Sequence, residues 1–82
     1  MYKVRTSEVA RHWKCGEPAA NGTAQFWTDG NKLYSYRLCI GDTDSKGQKW
    51  LKDYSANGAH GFQSMTTSKH VGYARRVADI VS

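Results

Sequence analysis

Between Thr66 and Arg76 the chain places three consecutive hydroxyls, Thr66, Thr67 and Ser68, directly before Lys69 and His70, and Arg75 and Arg76 follow. If this run opens a helix, its first backbone N–H groups have no partner inside the helix, and they gather at the positive end of the helix dipole. Hydroxyls, a cation and free N–H groups in one place suit an anion such as a phosphate. The same hydroxyls would also serve as ordinary helix caps. Arg11 and Lys14 extend the basic set if the two helices of the chain lie side by side.

Other chemistry is less well supported. His12 and Cys15 have the i, i+3 spacing of two ligands on a helix, with Cys39, His60 and His70 as further donors, but no paired Cys or His motif accompanies them. No metal or cofactor is therefore expected. A nucleophilic Cys or Ser needs a histidine and a carboxylate converging on it, and no such trio stands in a nucleophile-elbow context. Gly58-Ala59-His60-Gly61 echoes the Gly-x-x-Gly loop that grips nucleic-acid backbones, yet it falls between expected strands. No phosphate-loop, dinucleotide or paired-carboxylate signature occurs, which argues against an enzyme. Aromatic and basic residues interleave in 32–37 and 49–54. They suit either a stacking face for single-stranded nucleic acid or a packed core.

The elements that must position these residues follow from periodicity. Thr6 and Ser7 are capping residues, Glu8 suits the first turn, and Val9 and Trp13 share a face, which predicts a short helix from Ser7 to Cys15. Gly16 stops it, and residues 16–24 are expected as a loop. Asp29-Gly30 suits a hairpin after Phe26 and Trp27. Alternation from Lys32 to Gly41 predicts one central strand with Tyr34, Tyr36, Leu38 and Ile40 on one face. Residues 41–47 read as an exposed connection, 48–54 as a third strand, 55–61 with Asn57-Gly58 as a turn, and 62–65 as a short strand. Val71, Ala74, Val77, Ala78 and Val81 then form the apolar stripe of a final helix.

These elements predict an α+β fold in a single small domain spanning 1–82: a helix, an antiparallel three- or four-stranded sheet and a second helix, with both helices on one face. Eighty-two residues allow one core and not two. Twelve Lys and Arg against seven Asp and Glu give a net charge of +5 and a pI near 9.4. Such a balance favours nucleic acid, DNA or RNA, or an acidic protein surface as partner. No apolar run approaches the ~18 residues of a membrane span, and residues 1–5 lack a signal-peptide core. Cys15 and Cys39 then read as free thiols of a reducing compartment.

Leu33-Tyr34-Ser35-Tyr36, followed further on by Thr66-Thr67-Ser68-Lys69-His70, then Tyr73 and Arg75-Arg76, resembles an uncharacterised family of small proteins of tailed bacteriophages. The likeness runs from Phe26 onward. It implies a phage origin and action in the cytoplasm of the infected bacterium, and it attaches no activity. Two expectations follow: a nucleic-acid-binding protein using the basic C-terminal helix, or an inhibitor or modulator of a host protein such as a defence nuclease or the transcription machinery. Either would act as a monomer or homodimer.

Overall fold

The computed structural model describes residues 2–55, 58 and 60–82. Among these residues seven strands and two helices follow in the order β1 (Tyr2–Lys3), α1 (Thr6–Lys14), β2 (Pro18–Ala20), β3 (Phe26–Asp29), β4 (Leu33–Ser35), β5 (Leu38–Thr43), β6 (Lys49–Leu51), α2 (Met65–Arg75) and β7 (Ile80–Val81). The strands lie in one sheet in sequence order. The expected α+β class with two helices holds, but the all-antiparallel sheet of three or four strands does not. β1 pairs parallel with β2, and β6 parallel with β7, while the four inner pairings are antiparallel. Each helix is thus the crossover of a parallel pair at one margin of the sheet.

α1 forms where Val9, Ala10 and Trp13 make one buried stripe, with Glu8 in the first turn and Arg11 and Lys14 in the last. Both ends therefore complement the helix dipole. It lies on β2 and β3 and touches α2, which packs near β6. Val9, Trp13, Phe26, Leu33, Ile40, Leu51 and Val71 are fully buried between helices and sheet. Each such side chain contributes about 1.5–3 kcal/mol of transfer free energy. The Cα extents of 31 × 31 × 19 Å fit one helix layer on one sheet, since layers are spaced about 10 Å apart.

The expected central strand from Lys32 to Gly41 is instead a hairpin. Tyr36 and Arg37 form its two-residue turn, with Ser35 paired to Leu38 and Tyr36 at φ 58. No Gly, Asn or Pro marks this turn. A bulky residue in the left-handed region costs about 1–2 kcal/mol, which the ladder on either side must outweigh. The turn also changes which residues face the helices: Leu33 and Ser35 are buried beneath them, and Tyr34 is on the other side. A register irregularity at Leu33/Tyr34 leaves both Ile40 and Gly41 buried. A Cβ at Gly41 would lie 2.7 Å from Trp13 Cζ2 and 3.0 Å from Leu33 Cβ, so the indole of α1 rests directly on this backbone.

The final helix is shorter than its apolar stripe. It stops at Arg75, and Val81 belongs to β7, not to the helix. Backbone bonds from Asp79 N–H to Lys49 O at 2.9 Å and from Ser82 N–H to Leu51 O at 2.8 Å capture the chain as an edge strand. The edge of β6 would otherwise be unpaired, and β-branched Ile80 and Val81 suit a strand. Val77 and Ala78 pack against the core from the connecting turn. Residues 62–64 form no strand, and β2 lies within the stretch expected as a loop. The expected turn at Asn57-Gly58 and the Gly-x-x-Gly stretch include Asn57 and Ala59, which lie outside the described residues.

Candidate functional site

α2 begins one residue earlier than its hydroxyl run. Ser64 is the cap, its Oγ accepting the Thr67 N–H at 3.1 Å, the bond expected of a serine there. Thr67 turns inward, with Oγ1 3.0 Å from Ser35 Oγ and 3.1 Å from Ser64 Oγ. His70 is 2% exposed. Its Nδ1 lies 2.7 Å from Ser35 Oγ, and its ring stacks on Phe26 with centroids 4.3 Å apart. Burial lowers its pKa to about 4, so the imidazole is neutral near pH 7.

This arrangement corrects the expected anion site. Thr67 and His70 bind α2 to β4 through Ser35 and do not face solvent. A buried polar network of this kind fixes one arrangement of helix on sheet, because any slip would strand unpaired groups in the core. Ser68 Oγ is buried and has no hydrogen-bond partner among the described residues. Thr66 is half-buried and Lys69 exposed.

Two of the expected cations are engaged. Arg75 pairs with Asp53 and reaches Ser55 Oγ at 3.3 Å. Burial acts to raise the Asp53 pKa, but the Ser55 hydroxyl and N–H, together with Arg75, outweigh it and hold it below the usual value. Lys14 Nζ lies 2.6 Å from Asp79 Oδ1, while Asp79 Oδ2 accepts the Lys49 N–H at 2.8 Å. The Lys14 bond is the main reason the Asp79 pKa is lowered. Arg11, Lys69 and Arg76 remain exposed.

Lys49, 4% exposed, is a cation that pattern reading did not single out. Its Nζ donates to Thr43 Oγ1 at 2.7 Å and Gly30 O at 3.2 Å, and lies 5.6 Å from the Trp13 ring centroid. Burial is the first cause of its lowered pKa. The residue connects β5, β6 and the β3–β4 turn beneath α1. Among the described residues no three His, Cys, Asp or Glu side chains come together as a metal site. His12 Nδ1 instead lies 3.4 Å from Glu17 Oε1, and His70 is in the core.

The sheet face away from the helices carries a second group of residues. Trp27 on β3 and Tyr34 on β4 are directly paired, and their rings stack at 4.1 Å with an interplanar angle of 10°. Trp27 Nε1 donates to Tyr36 O at 2.9 Å. Cys39 pairs with Tyr34, and Asp42 with Trp50. Trp50 is 41% exposed, and its Nε1 donates to Asp44 Oδ2 at 2.9 Å. The two interleaved segments are therefore divided: their leucines, Leu33 and Leu51, enter the core, while the aromatic Tyr34 and Trp50 face outward. Trp27 escaped sequence reasoning because its role depends on the register that places Tyr34 opposite it.

Comparison with protein-family models, with curated proteins and with solved structures gives no match. No helix among the described residues is long and apolar enough to cross a membrane.

Proposed function

We propose that this chain is a non-enzymatic binding domain whose partner is nucleic acid. The observation that carries the reading is the distribution of charge once internal pairing is taken into account. Among the described residues, Lys14, Lys49 and Arg75 are bonded within the protein, whereas the other nine Lys and Arg side chains are exposed without an ion pair. Several carboxylates are occupied: Glu17 by His12, Asp53 by Arg75 and Asp79 by Lys14, and Asp29 and Asp44 by turn N–H groups. The two Lys/Arg ion pairs cancel internally and leave the net charge at +5, so the excess that a polyanion would meet is carried by exposed cations that have no acidic partner among the described residues.

On the helical side Lys69, Arg76 and Arg11 are exposed, with Thr66 one turn before Lys69, and on the sheet side Lys32, Arg37 and Lys52 are exposed as well. Against catalysis, the close hydroxyl–imidazole pair, Ser35 and His70, is enclosed in the core. The resemblance to small phage proteins makes the cytoplasm of an infected bacterium the setting of this proposal. The test is a titration of labelled duplex and single-stranded oligonucleotides at several salt concentrations, repeated with Lys69→Ala and Arg76→Ala. Binding that weakens as salt rises is expected, because neutralised phosphates release counterions. Absent or salt-insensitive binding at low ionic strength would sink the proposal.

A second reading, a modulator of a host protein, draws on Tyr36, Phe62 and Met65, apolar side chains 45%, 51% and 70% exposed. An affinity capture from the bacterial host that recovers one protein and no nucleic acid would favour it.

A further inference from the structure

We infer that the bare face of the sheet is a platform for single-stranded RNA, with bases stacked on the Trp27–Tyr34 pair and on Trp50. This rests on the nucleic-acid reading and goes beyond it in naming the surface and the form of its ligand.

Three features of that face converge. First, the rings are held in place before any ligand arrives. Trp27 is bonded to Tyr36 O and stacked on Tyr34, and Trp50 is bonded to Asp44. Both indole N–H groups are thereby satisfied, so the rings offer π-faces and not donors. Stacking on them is indifferent to base identity and costs little ordering entropy. Trp50 lies two strands from Tyr34 and about three residues further along, roughly 14 Å away from strand geometry, which leaves room for more than one nucleotide between the two platforms.

Second, cations flank the rings. Lys32 and Tyr34 are two apart on β4 and its approach. Lys52 follows Trp50 at the same spacing and keeps the ladder through its N–H bond to Ile40 O at 2.7 Å, so alternation places each on the ring side. Arg37 occupies the adjoining turn. All three are exposed. The neighbouring carboxylates Asp29 and Asp44 are turned to backbone N–H groups of their own turns. Unpaired bases are required, because a duplex hides its base faces in the stack.

Third, Asp42 stands across from Trp50 with Oδ1 accepting the Thr43 N–H at 2.8 Å, and among the described residues Oδ2 accepts nothing. Asp42 is half-buried, so water can serve this oxygen in the free protein, and a sugar seated over it displaces that water and is favoured if it brings a donor. The ribose 2′-hydroxyl supplies one at every nucleotide, and deoxyribose has none.

The experiment titrates the full chain with a labelled uridine-rich single strand of about ten nucleotides, within the site sizes of such surfaces, alongside the matching DNA strand and an RNA duplex. Expected are preference for the single strand over the duplex, and a loss of about 10- to 100-fold with Trp50→Ala or Tyr34→Ala. Trp50→Phe, which keeps a ring, should retain most of the affinity, and thermal melts of each variant identify any change due to misfolding. RNA should bind about 3- to 10-fold tighter than DNA, with the difference removed by Asp42→Ala. Equal affinity for RNA and DNA, or for duplex and single strand, would overturn the inference. Binding that survives the aromatic substitutions but falls with Lys69→Ala and Arg76→Ala would also overturn it, while leaving the nucleic-acid reading standing. No binding of any oligonucleotide at low salt would remove both.

Discussion

His70 couples the stability of this small protein to pH. Its ring is buried against Phe26 with Nδ1 beside Ser35 Oγ, and burial holds its pKa near 4 against an ordinary 6.5. Below the ordinary value the unfolded chain takes up a proton that the native core refuses. The stabilisation is thus fully present above about pH 6.5 and is lost as pH falls towards 4, an effect of about 3 kcal/mol. Urea denaturation at a series of pH values should show this decline before the carboxylates protonate, and His70→Leu should flatten it. Glycines give a second pair of predictions, opposite in sign. A Cβ at Gly41 meets the buried indole of Trp13 at 2.7 Å, so Gly41→Ala should destabilise by about 1–3 kcal/mol. A Cβ at Gly72, within α2, meets nothing within 4 Å, and Gly72→Ala should stabilise by about 1 kcal/mol. Chemical denaturation of both variants checks the contrast.

At the scale of elements, the two parallel margins depend on different anchors. α1 has a strong apolar stripe, whereas α2 carries Gly72 and threonines and is held through Ser35, Thr67 and His70. The return from α2 to the sheet depends on Asp79, whose carboxylate receives Lys14 Nζ and the Lys49 N–H while its own N–H reaches Lys49 O. Asp79→Ala should release β7, with hydrogen exchange accelerating at the Asp53 and Ser82 amides that β7 and its continuation protect. The amides of β3 to β5 should keep their protection. Local patterns made part of this legible. Val9, Trp13 and Gly16 marked α1, and the Asp29-Gly30 signal marked the β3–β4 hairpin. What they could not reveal were features set by pairing over distance. The turn at Tyr36-Arg37 has no turn residue, and alternation continues across it with its sense reversed. Residues 77–81 fit a helical stripe as well as a strand, and only the open edge of β6 decides between them. The basic cluster at 66–76 was legible as composition, but whether Thr67 and His70 point outward depends on Ser35 and Phe26, far away in the chain.

For the whole molecule, the question is which of its two faces meets the phosphates. The helical face offers Arg11, Lys69 and Arg76, and the sheet face Lys32, Arg37 and Lys52. Both sets are exposed, so net charge cannot separate them, but salt dependence combined with substitution can. For a single strand, each neutralised phosphate adds about −0.7 to the slope of log affinity against log salt. Three contacts on the sheet face therefore imply a slope near −2. Lys52→Ala should weaken binding and also make the slope shallower by about 0.7, because one fewer counterion is released. Lys69→Ala, on the other face, should leave the slope unchanged and alter affinity only through the long-range field, an effect that fades as the Debye length contracts. Trp50→Ala supplies the contrasting signature. Removing a stacking ring should lower affinity by a similar factor at every salt concentration, since no phosphate contact is lost. If instead Lys69→Ala changes the slope and Lys52→Ala does not, the phosphates lie against the helices and the aromatic sheet face serves another purpose.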